Sequence, residues 1–172
     1  RAKKFNSRFG EIFIVPKMRE QMVKVPGLDG GKMGKSEADN AIDINSPIPA
    51  IRERYLKKGI TDPERFRVSD SGDPYRRCRS VYSVHELVTF GETETREIAN
   101  ACIAAEIGCV SCKHQLVDSI AKILGPFQEA RARLVDKNAY ITEVLHEGGK
   151  KARARIKATV EVVREKMGIV IY

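Results

Sequence analysis

The second half of the chain has the residue spacing of α-helices, and this feature constrains the fold more than any other. Over residues 111–136 apolar side chains recur every three or four positions, which places them on one face of a helix. This apolar stripe comprises Leu116, Ile120, Ile123, Leu124, Phe127 and Leu134. Residues 149–167 predict a last helix with a second stripe, formed by Ala152, Ile156, Val160 and Val163. Helices of this kind bury their stripes against one another, which predicts a helical bundle.

Composition and capping residues predict further helices in the same half. Ser83 and Glu86 have the spacing of a capping box, in which the two side chains bond backbone N–H groups at a helix start. Residues 93–105 and 139–146 have helix-forming composition. The Gly-Pro pair at 125–126 predicts a kink within the longest helix, because proline cannot donate the helical hydrogen bond.

The first half of the chain has a different texture, with one helix and two short strands expected. Ser46 followed by Pro47 predicts a helix start, since proline is favoured at the first helical position, and Gly59 predicts its end. Residues 11–15 are an apolar run ended by a proline, which predicts a buried strand, and residues 41–44 predict a second one. The predicted fold class is therefore mainly α with a short α/β segment.

The net charge narrows the classes of binding partner. The 172 residues include 31 basic and 23 acidic side chains, a net charge of +8, which favours a nucleic acid, a nucleotide or an anionic membrane as partner. A membrane is least favoured, because no basic stretch carries Trp or Phe on an opposing apolar face and no apolar run approaches the roughly 18–20 residues that span a bilayer.

Four cysteines are too few for a secreted disulfide scaffold. Without a charged and apolar leader after Arg1, we expect a reducing cytoplasm, where clustered cysteines favour metal ligation.

A glycine-rich loop at residues 25–36 carries two lysines and a serine. Glycines let the backbone approach phosphate oxygens closely, and Lys32 and Lys35 are spaced to point at one anion, with Ser36 adding a hydroxyl. These groups suit a triphosphate, although the spacing is not that of a P-loop. The alternative from composition alone is an exposed, flexible turn that happens to contain lysines.

The four cysteines form a triplet with one outlier. Cys102, Cys109 and Cys112 have the spacing Cys-x6-Cys-x2-Cys, and 23 residues separate Cys78 from Cys102. Four sulfurs suit tetrahedral zinc or a 4Fe–4S cluster. Zinc sites usually contain two close pairs, and only one is present, so the pattern is more typical of the cluster. The alternative is that four buried small apolar residues happen to be cysteine.

The loop Lys32-Met33-Gly34-Lys35-Ser36 resembles the Lys-Met-Ser-Lys-Ser loop of class I aminoacyl-tRNA synthetases, with Gly34 in place of the first serine. Flanking segments resemble tryptophanyl-tRNA synthetases over essentially the whole chain. These segments are Phe5-Asn6, Phe9-Gly10-Glu11, Gly27-Leu28-Asp29-Gly30, Thr61-Asp62-Pro63, Gly72-Asp73-Pro74, His85-Glu86, Gly125-Pro126, Arg131, Arg133, Glu147-Gly148 and Met167-Gly168.

This resemblance implies ATP-dependent activation of tryptophan to its adenylate and transfer to a tRNA. It implies that Lys32 and Lys35 are the catalytic residues and that Mg²⁺ shares the charge of the triphosphate. The residues implied to hold ATP are Val25, Lys32, Met33, Gly34, Lys35 and Ser36.

The cysteines also fit the resemblance. Some bacterial tryptophanyl-tRNA synthetases carry a 4Fe–4S cluster on a Cys-x22-Cys-x6-Cys-x2-Cys pattern, and the first gap here is one residue longer. Cys78, Cys102, Cys109 and Cys112 are thus implied as ligands of a cluster, with zinc as the alternative. The implied role is structural or linked to anticodon recognition.

The implied organisation has two parts. Residues 1–45 would end a Rossmann-like catalytic domain, and residues 46–172 would form an α-helical anticodon-binding domain of a homodimeric enzyme. No His-x-Gly-His motif is found, so we expect this segment to be roughly the second half of a synthetase and inactive alone. The alternative function is a non-catalytic helical RNA-binding module with a structural metal site.

Overall fold

The computed structural model of the chain describes residues 1–17, 24–34, 36–37 and 39–169, and this part is mainly helical. The helices are α1 (Ala2–Phe9), α2 (Ile48–Lys58), α3 (Val81–Val88), α4 (Glu92–Ile103), α5 (Cys109–Leu134) and α6 (Asn138–Met167). None of the described helices combines the length and apolar character needed to cross a membrane.

The chain divides into two compact units. One consists of Arg1–Met22 with Ala132–Tyr172, and the other of Val23–Arg131. The second unit holds both candidate sites. The domain boundary expected near residue 45 stays a prediction.

One hydrophobic core organises the second unit. Helix α2 contributes Ile51 and Tyr55, and α5 contributes Leu116, each at most 2% exposed. Burial of one such side chain stabilises a fold by about 1.5–3 kcal/mol. The other members of this core are Leu28, Cys78, Val81, Tyr82, Val84, Ala99, Cys112, Val117 and Ile120.

Helix α2 confirms the helix predicted after Ser46, although Pro47 is its N-cap and not its first residue. It begins at Ile48, directly after Pro47, and ends at Lys58 with Gly59 as its C-cap. An ion pair joins it to α5, since Arg52 Nη2 donates to Asp118 Oδ1 at 2.6 Å. The α2–α5 contact is thus polar at its edge and apolar at its centre.

The two predicted strands are wrong. Residues 11–15 and 41–44 form no strand, and in the described chain the pairing found outside helices is an isolated antiparallel bridge between Pro26 and Lys32. A strand needs a neighbour for its backbone groups, and neither segment has one there. In the first segment the backbone bonds to a side chain instead of a neighbouring strand. Asn6 Oδ1 accepts from Phe13 N at 3.0 Å, and Asn6 Nδ2 donates to Phe13 O at 2.7 Å.

Two helix boundaries also differ from expectation. Helix α3 begins at Val81, so Ser83 lies inside it and does not cap it. The helices predicted over 139–146 and 149–167 are one continuous helix, α6. A glycine destabilises an exposed helix by about 1 kcal/mol relative to alanine. The two glycines here lie between strong helix formers, so this destabilisation does not end the helix. The Gly-Pro pair at 125–126 likewise lies within α5.

The first unit has little buried surface of its own. The ring of Phe5 packs against Phe9 and Phe13, with centroids 4.8 and 5.0 Å apart. Helix α6 contributes no buried residue. The apolar stripe predicted for residues 149–167 therefore does not form a core in this unit, and its Ile156 is 60% exposed.

Candidate functional site

The glycine-rich segment is a closed backbone loop. Met33 N donates to Val25 O at 3.0 Å, and the bridge between Pro26 and Lys32 closes the base of the loop. Within it, Gly27 N donates to Gly31 O at 2.7 Å. Gly30 has a φ of 76°, a left-handed conformation that glycine adopts without the cost of a Cβ. The loop is thus built around its glycines.

Five of the predicted nucleotide-binding residues lie in the described part of the segment at residues 25–36. The side chains of Lys32, Ser36 and Val25 are exposed, while Met33 and Gly34 are half-buried. Lys35 lies outside the described residues. An exposed ammonium beside a glycine-rich backbone can meet an anion from solvent, and Lys32 has this setting.

A buried asparagine, which sequence reasoning missed, joins Asp29 within the loop to Lys32 at its base. Asn40 is 6% exposed. Its Oδ1 accepts from Asp29 N at 3.1 Å, and its Nδ2 donates to Lys32 O at 3.2 Å and to Glu37 Oε2 at 3.4 Å. The signal available in the sequence was weak, because asparagine is common in loops for many reasons.

The loop is fastened to α2 and to the core beneath it. Leu28 is 1% exposed within the core, and its carbonyl accepts from Ile60 N at 2.9 Å. On the other side, Lys58 Nζ lies 2.6 Å from Asp39 Oδ1, and that ion pair lowers the pKa of the Asp39 carboxyl. The loop and the C-terminal end of α2 therefore form one connected structure.

The fold gathers the four cysteines. Cys78 precedes α3, Cys102 lies near the end of α4, and Cys109 and Cys112 lie in the first turn of α5. All four thiols are free, with Cys78 and Cys112 buried and the other two half-buried. Three elements therefore deliver the thiols predicted from sequence spacing.

The pKa values of Cys78 and Cys112 are raised mainly by burial. Burial, with smaller contributions from Cys102 and Cys109, raises the pKa of Cys78 to about 11. Burial, with smaller contributions from the other three cysteines, raises the pKa of Cys112 to about 12. The other cysteines contribute to both shifts, so the four thiols lie within electrostatic reach of one another.

Several groups donate hydrogen bonds to the sulfur atoms. Tyr82 N lies 3.4 Å from Cys78 Sγ, and Arg65 Nη1 lies 3.5 Å from Cys102 Sγ. The Arg65 guanidinium opposes the effect of burial, which raises the pKa of Cys102. Close packing completes the surroundings, since a Cβ at Gly72 would lie 2.5 Å from Cys102 Sγ. Only glycine fits at that position.

His85 lies against Cys112, and sequence reasoning did not identify it as a candidate site residue. It is fully buried, and its Nε2 lies 3.2 Å from Cys112 O and 3.6 Å from Cys112 Sγ. Its Nδ1 lies 2.9 Å from Thr89 Oγ1. Burial lowers the pKa of His85. A lone histidine in an apolar helix gives no sequence signal that distinguishes this position from an ordinary core residue.

An ionic network holds the irregular segment that precedes Cys78. Asp62 is buried, and its carboxylate accepts from Glu64 N at 2.9 Å and Asp73 N at 2.8 Å. Arg77 Nε lies 3.3 Å from Asp62 Oδ2, and the same guanidinium pairs with Glu64. These bonds replace regular secondary structure as the support for Cys78.

The cysteine group does not have the arrangement of a single-ion site. Among the described residues, no three His, Cys, Asp or Glu side chains are placed to hold one metal ion. A tetrahedral zinc site would need sulfur atoms about 3.8 Å apart, given a Zn–S distance of about 2.3 Å. The metal centre predicted at the four cysteines is therefore not seen among the described residues.

Comparison with known proteins gives a consistent result. Residues 1–125 match the family described as tRNA synthetases class I (W and Y). The chain is 39% identical over 171 residues to the tryptophan–tRNA ligase of Deinococcus radiodurans, covering 97% of this chain and 50% of that protein. It is 35% identical over 169 residues to the ligase of Aquifex aeolicus, covering 98% of this chain and 42% of that one.

A solved structure resembles the fold over the same extent. The crystal structure of tryptophanyl-tRNA synthetase from Campylobacter jejuni, complexed with ADP and tryptophan, is 27% identical with a TM-score of 0.75. The match covers 97% of this chain and 51% of that one. The chain thus spans about half the length of the relatives it matches.

Proposed function

The chain belongs to the class I tRNA synthetases for tryptophan and tyrosine, and from this premise we propose that it is part of a tryptophan–tRNA ligase. Support for tryptophan over tyrosine comes from the relatives, which are tryptophan–tRNA ligases matched over 97% and 98% of this chain. The proposed reaction is activation of tryptophan by ATP to the adenylate, followed by transfer to tRNA.

The glycine-rich loop is the proposed ATP loop. Adenylate formation needs no general base, because the tryptophan carboxylate is already ionised at neutral pH. It needs stabilisation of the negative charge that moves toward the leaving pyrophosphate. Lys32 and Lys35 would supply two positive charges there, with Mg²⁺ sharing the charge of the triphosphate. The exposed Lys32 side chain on a closed glycine-rich loop is the observation that carries this proposal.

The remaining loop residues have supporting roles in this proposal. Gly34 would offer a backbone N–H group, Ser36 a hydroxyl, and Val25 a contact on the adenine side. Met33 would line the site, since its own N–H is bonded to Val25 O. The Campylobacter relative was solved with ADP and tryptophan, which is consistent with a nucleotide site in this fold.

We further propose that Cys78, Cys102, Cys109 and Cys112 hold a 4Fe–4S cluster in a structural role. The support is the spacing Cys-x6-Cys-x2-Cys with Cys78 upstream, together with the placement of all four cysteines in the second unit. The hydrogen bond from Arg65 and the glycine at position 72 suit a crowded anionic centre. Zinc is the alternative metal.

The finer organisation follows from the same proposal. Residues 1–45 would end the Rossmann-like catalytic domain, and residues 46–172 would form the anticodon-binding domain that contacts tRNA. The enzyme would be a cytoplasmic homodimer. The net charge of +8 supports an RNA partner.

ATP–pyrophosphate exchange tests the ligase proposal. The assay uses the product of the complete gene that encodes the chain, beside the 172-residue chain alone. We expect exchange that depends on tryptophan, and not on tyrosine, with the complete product and none with the chain alone. Tyrosine-dependent exchange would overturn the amino-acid assignment. Binding of tRNA without any exchange would favour the alternative, a non-catalytic RNA-binding module with a structural metal site.

Anaerobic purification tests the cluster. We expect a brown protein with iron and acid-labile sulfide in a ratio near one to one. A colourless protein with stoichiometric zinc would refute the cluster and support the zinc alternative.

A further inference from the structure

We propose that Asn40 is a positioning residue, which holds the glycine-rich loop, and with it Lys32, in the shape that receives a triphosphate. This inference rests on the proposed ATP loop. Asn40 itself would touch no substrate. It would act through the backbone of Lys32, whose carbonyl accepts from Asn40 Nδ2 at 3.2 Å.

The Asn40 side chain is satisfied by the loop it would hold. Its oxygen accepts from Asp29 N at 3.1 Å, and its nitrogen donates at 3.2 Å to Lys32 O and at 3.4 Å to Glu37 Oε2. These contacts use the acceptor and both donors that a primary amide possesses. They join residues that are up to 11 positions apart along the chain.

The backbone of Asn40 adds to this connection. Leu28 N donates to Asn40 O at 3.0 Å, and Asn40 N donates to Glu37 O at 2.9 Å. Leu28 is itself anchored in the core at 1% exposure. Asn40 thus ties the exposed part of the loop, around Lys32, to a part that is buried in the core.

The loop sequence is matched to this side chain. A Cβ at Gly27 would lie 2.0 Å from Asn40 Oδ1, so the amide occupies space that any other residue at position 27 would fill. Aspartate at position 40 would keep the acceptor for Asp29 N and lose both donors. Leucine, which has a similar branched shape, would leave the Asp29 N–H and the Lys32 carbonyl without partners. Asparagine is therefore suited to the position by chemistry as well as by size.

Preorganisation explains why the reaction would depend on this contact. A loop that is already in place when charge develops on the pyrophosphate stabilises the transition state without first being ordered. A loop released from Asn40 would still reach the ATP in the ground state. We therefore expect loss of Asn40 to lower kcat and to leave the KM for ATP nearly unchanged.

The first experiment measures the loop in the chain itself, by amide hydrogen exchange of Asn40→Ala. Asn45→Ala is the matched control, because Asn45 is exposed and its amide contacts Asp43 at the surface. Asn40→Ala should speed exchange at Asp29 N by about tenfold or more, as expected for loss of a buried hydrogen bond, and Asn45→Ala should not. Unchanged exchange at Asp29 N in Asn40→Ala would overturn the proposal.

The second experiment measures ATP–pyrophosphate exchange in the product of the complete gene. Asn40→Ala should lower kcat by about tenfold, equivalent to one hydrogen bond, with a KM for ATP within about threefold of the unaltered protein. Asn40→Asp should be as slow, since it cannot donate to the Lys32 carbonyl. An Asn40→Asp variant with unaltered kcat would overturn the role of that contact.

A double-mutant cycle distinguishes positioning from a general loss of structure. In a Lys32→Ala background, Asn40→Ala should lower kcat by less than about twofold, because the group it positions is gone. An undiminished tenfold effect would mean that Asn40 does not act through Lys32. If the unaltered protein shows no exchange, the ATP-loop proposal fails and this inference fails with it; if it is active and Asn40→Ala behaves as Asn45→Ala, this inference alone fails.

Discussion

Gly30 of the glycine-rich loop packs directly against Arg79, the residue that follows Cys78: a Cβ at Gly30 would lie 3.1 Å from Cβ of Arg79. Leu28, two residues earlier, is buried in the same core as Cys78 and Cys112. The proposed ATP loop and the cysteine group are therefore both anchored in the same hydrophobic core. Any change that disturbs this contact should be felt at both.

Gly30→Ala should destabilise the second unit by about 1–2 kcal/mol. Its φ of 76° puts a Cβ close to the following carbonyl oxygen, and the approach to Arg79 leaves no space to relax. Urea unfolding followed by circular dichroism measures the change. Gly34→Ala is the control, since its nearest neighbour, Ser36 Oγ, lies 3.8 Å from the added atom. Equal stability of the two variants would contradict the Gly30–Arg79 contact.

Lys35→Ala should slow adenylate formation far more than it weakens ATP binding. Its ammonium is proposed to act on charge that develops only in the transition state, so the ground-state complex loses little. Single-turnover kinetics with tryptophan and ATP separate the two quantities. A rate constant and an ATP affinity that fall by the same factor would place Lys35 in uniform binding instead.

The sequence predicted the helical elements better than their ends. Helix α2 was located by a proline and a glycine, because both residues act on their own turn of the chain. The junction inside α6 was missed, since Gly148 and Gly149 would end a marginal helix and are tolerated in one of 30 residues. The strand at 11–15 failed because an apolar run does not reveal whether a neighbouring strand is there to pair with it.

The candidate sites show the same division between local and distant information. The loop lysines and the cysteine spacing are visible in the sequence, as is the chemistry they suit. Asn40 and His85 are not, because their importance comes from neighbours that only the fold supplies. Asn40 bonds Asp29, 11 positions away, and His85 lies against Cys112, 27 positions away.

Serine in place of any one of the four cysteines should reduce bound iron by a similar, large factor. A cluster that has lost one thiolate ligand is held less well whichever ligand is lost. Iron and sulfide assays on Cys78→Ser, Cys102→Ser, Cys109→Ser and Cys112→Ser measure this. Ser111→Ala is the control, because Ser111 is exposed between two of the ligands.

The pattern across these four variants separates a metal site from simple packing. If the cysteines were only small apolar residues, the loss of folding stability on substitution by serine would increase with burial of the cysteine. Cys112→Ser would then be destabilising and the half-buried Cys109→Ser nearly neutral. A stability loss that follows burial, with unchanged metal content, would contradict the cluster.

Tyr55 should make the fold sensitive to alkali. Burial raises the pKa of its phenol from 10.0 to about 12, which means that the folded state favours the neutral form. The stabilisation is fully present below pH 10 and is lost as the pH rises toward 12, because the unfolded chain then ionises first. Two pH units correspond to at most about 2–3 kcal/mol. Urea unfolding of Tyr55→Phe at pH 9 and pH 11 should show a smaller loss of stability than the unaltered chain. Parallel losses in the two proteins would mean that other groups, such as lysines and thiols, govern the alkaline limit and that Tyr55 is not the titrating core residue.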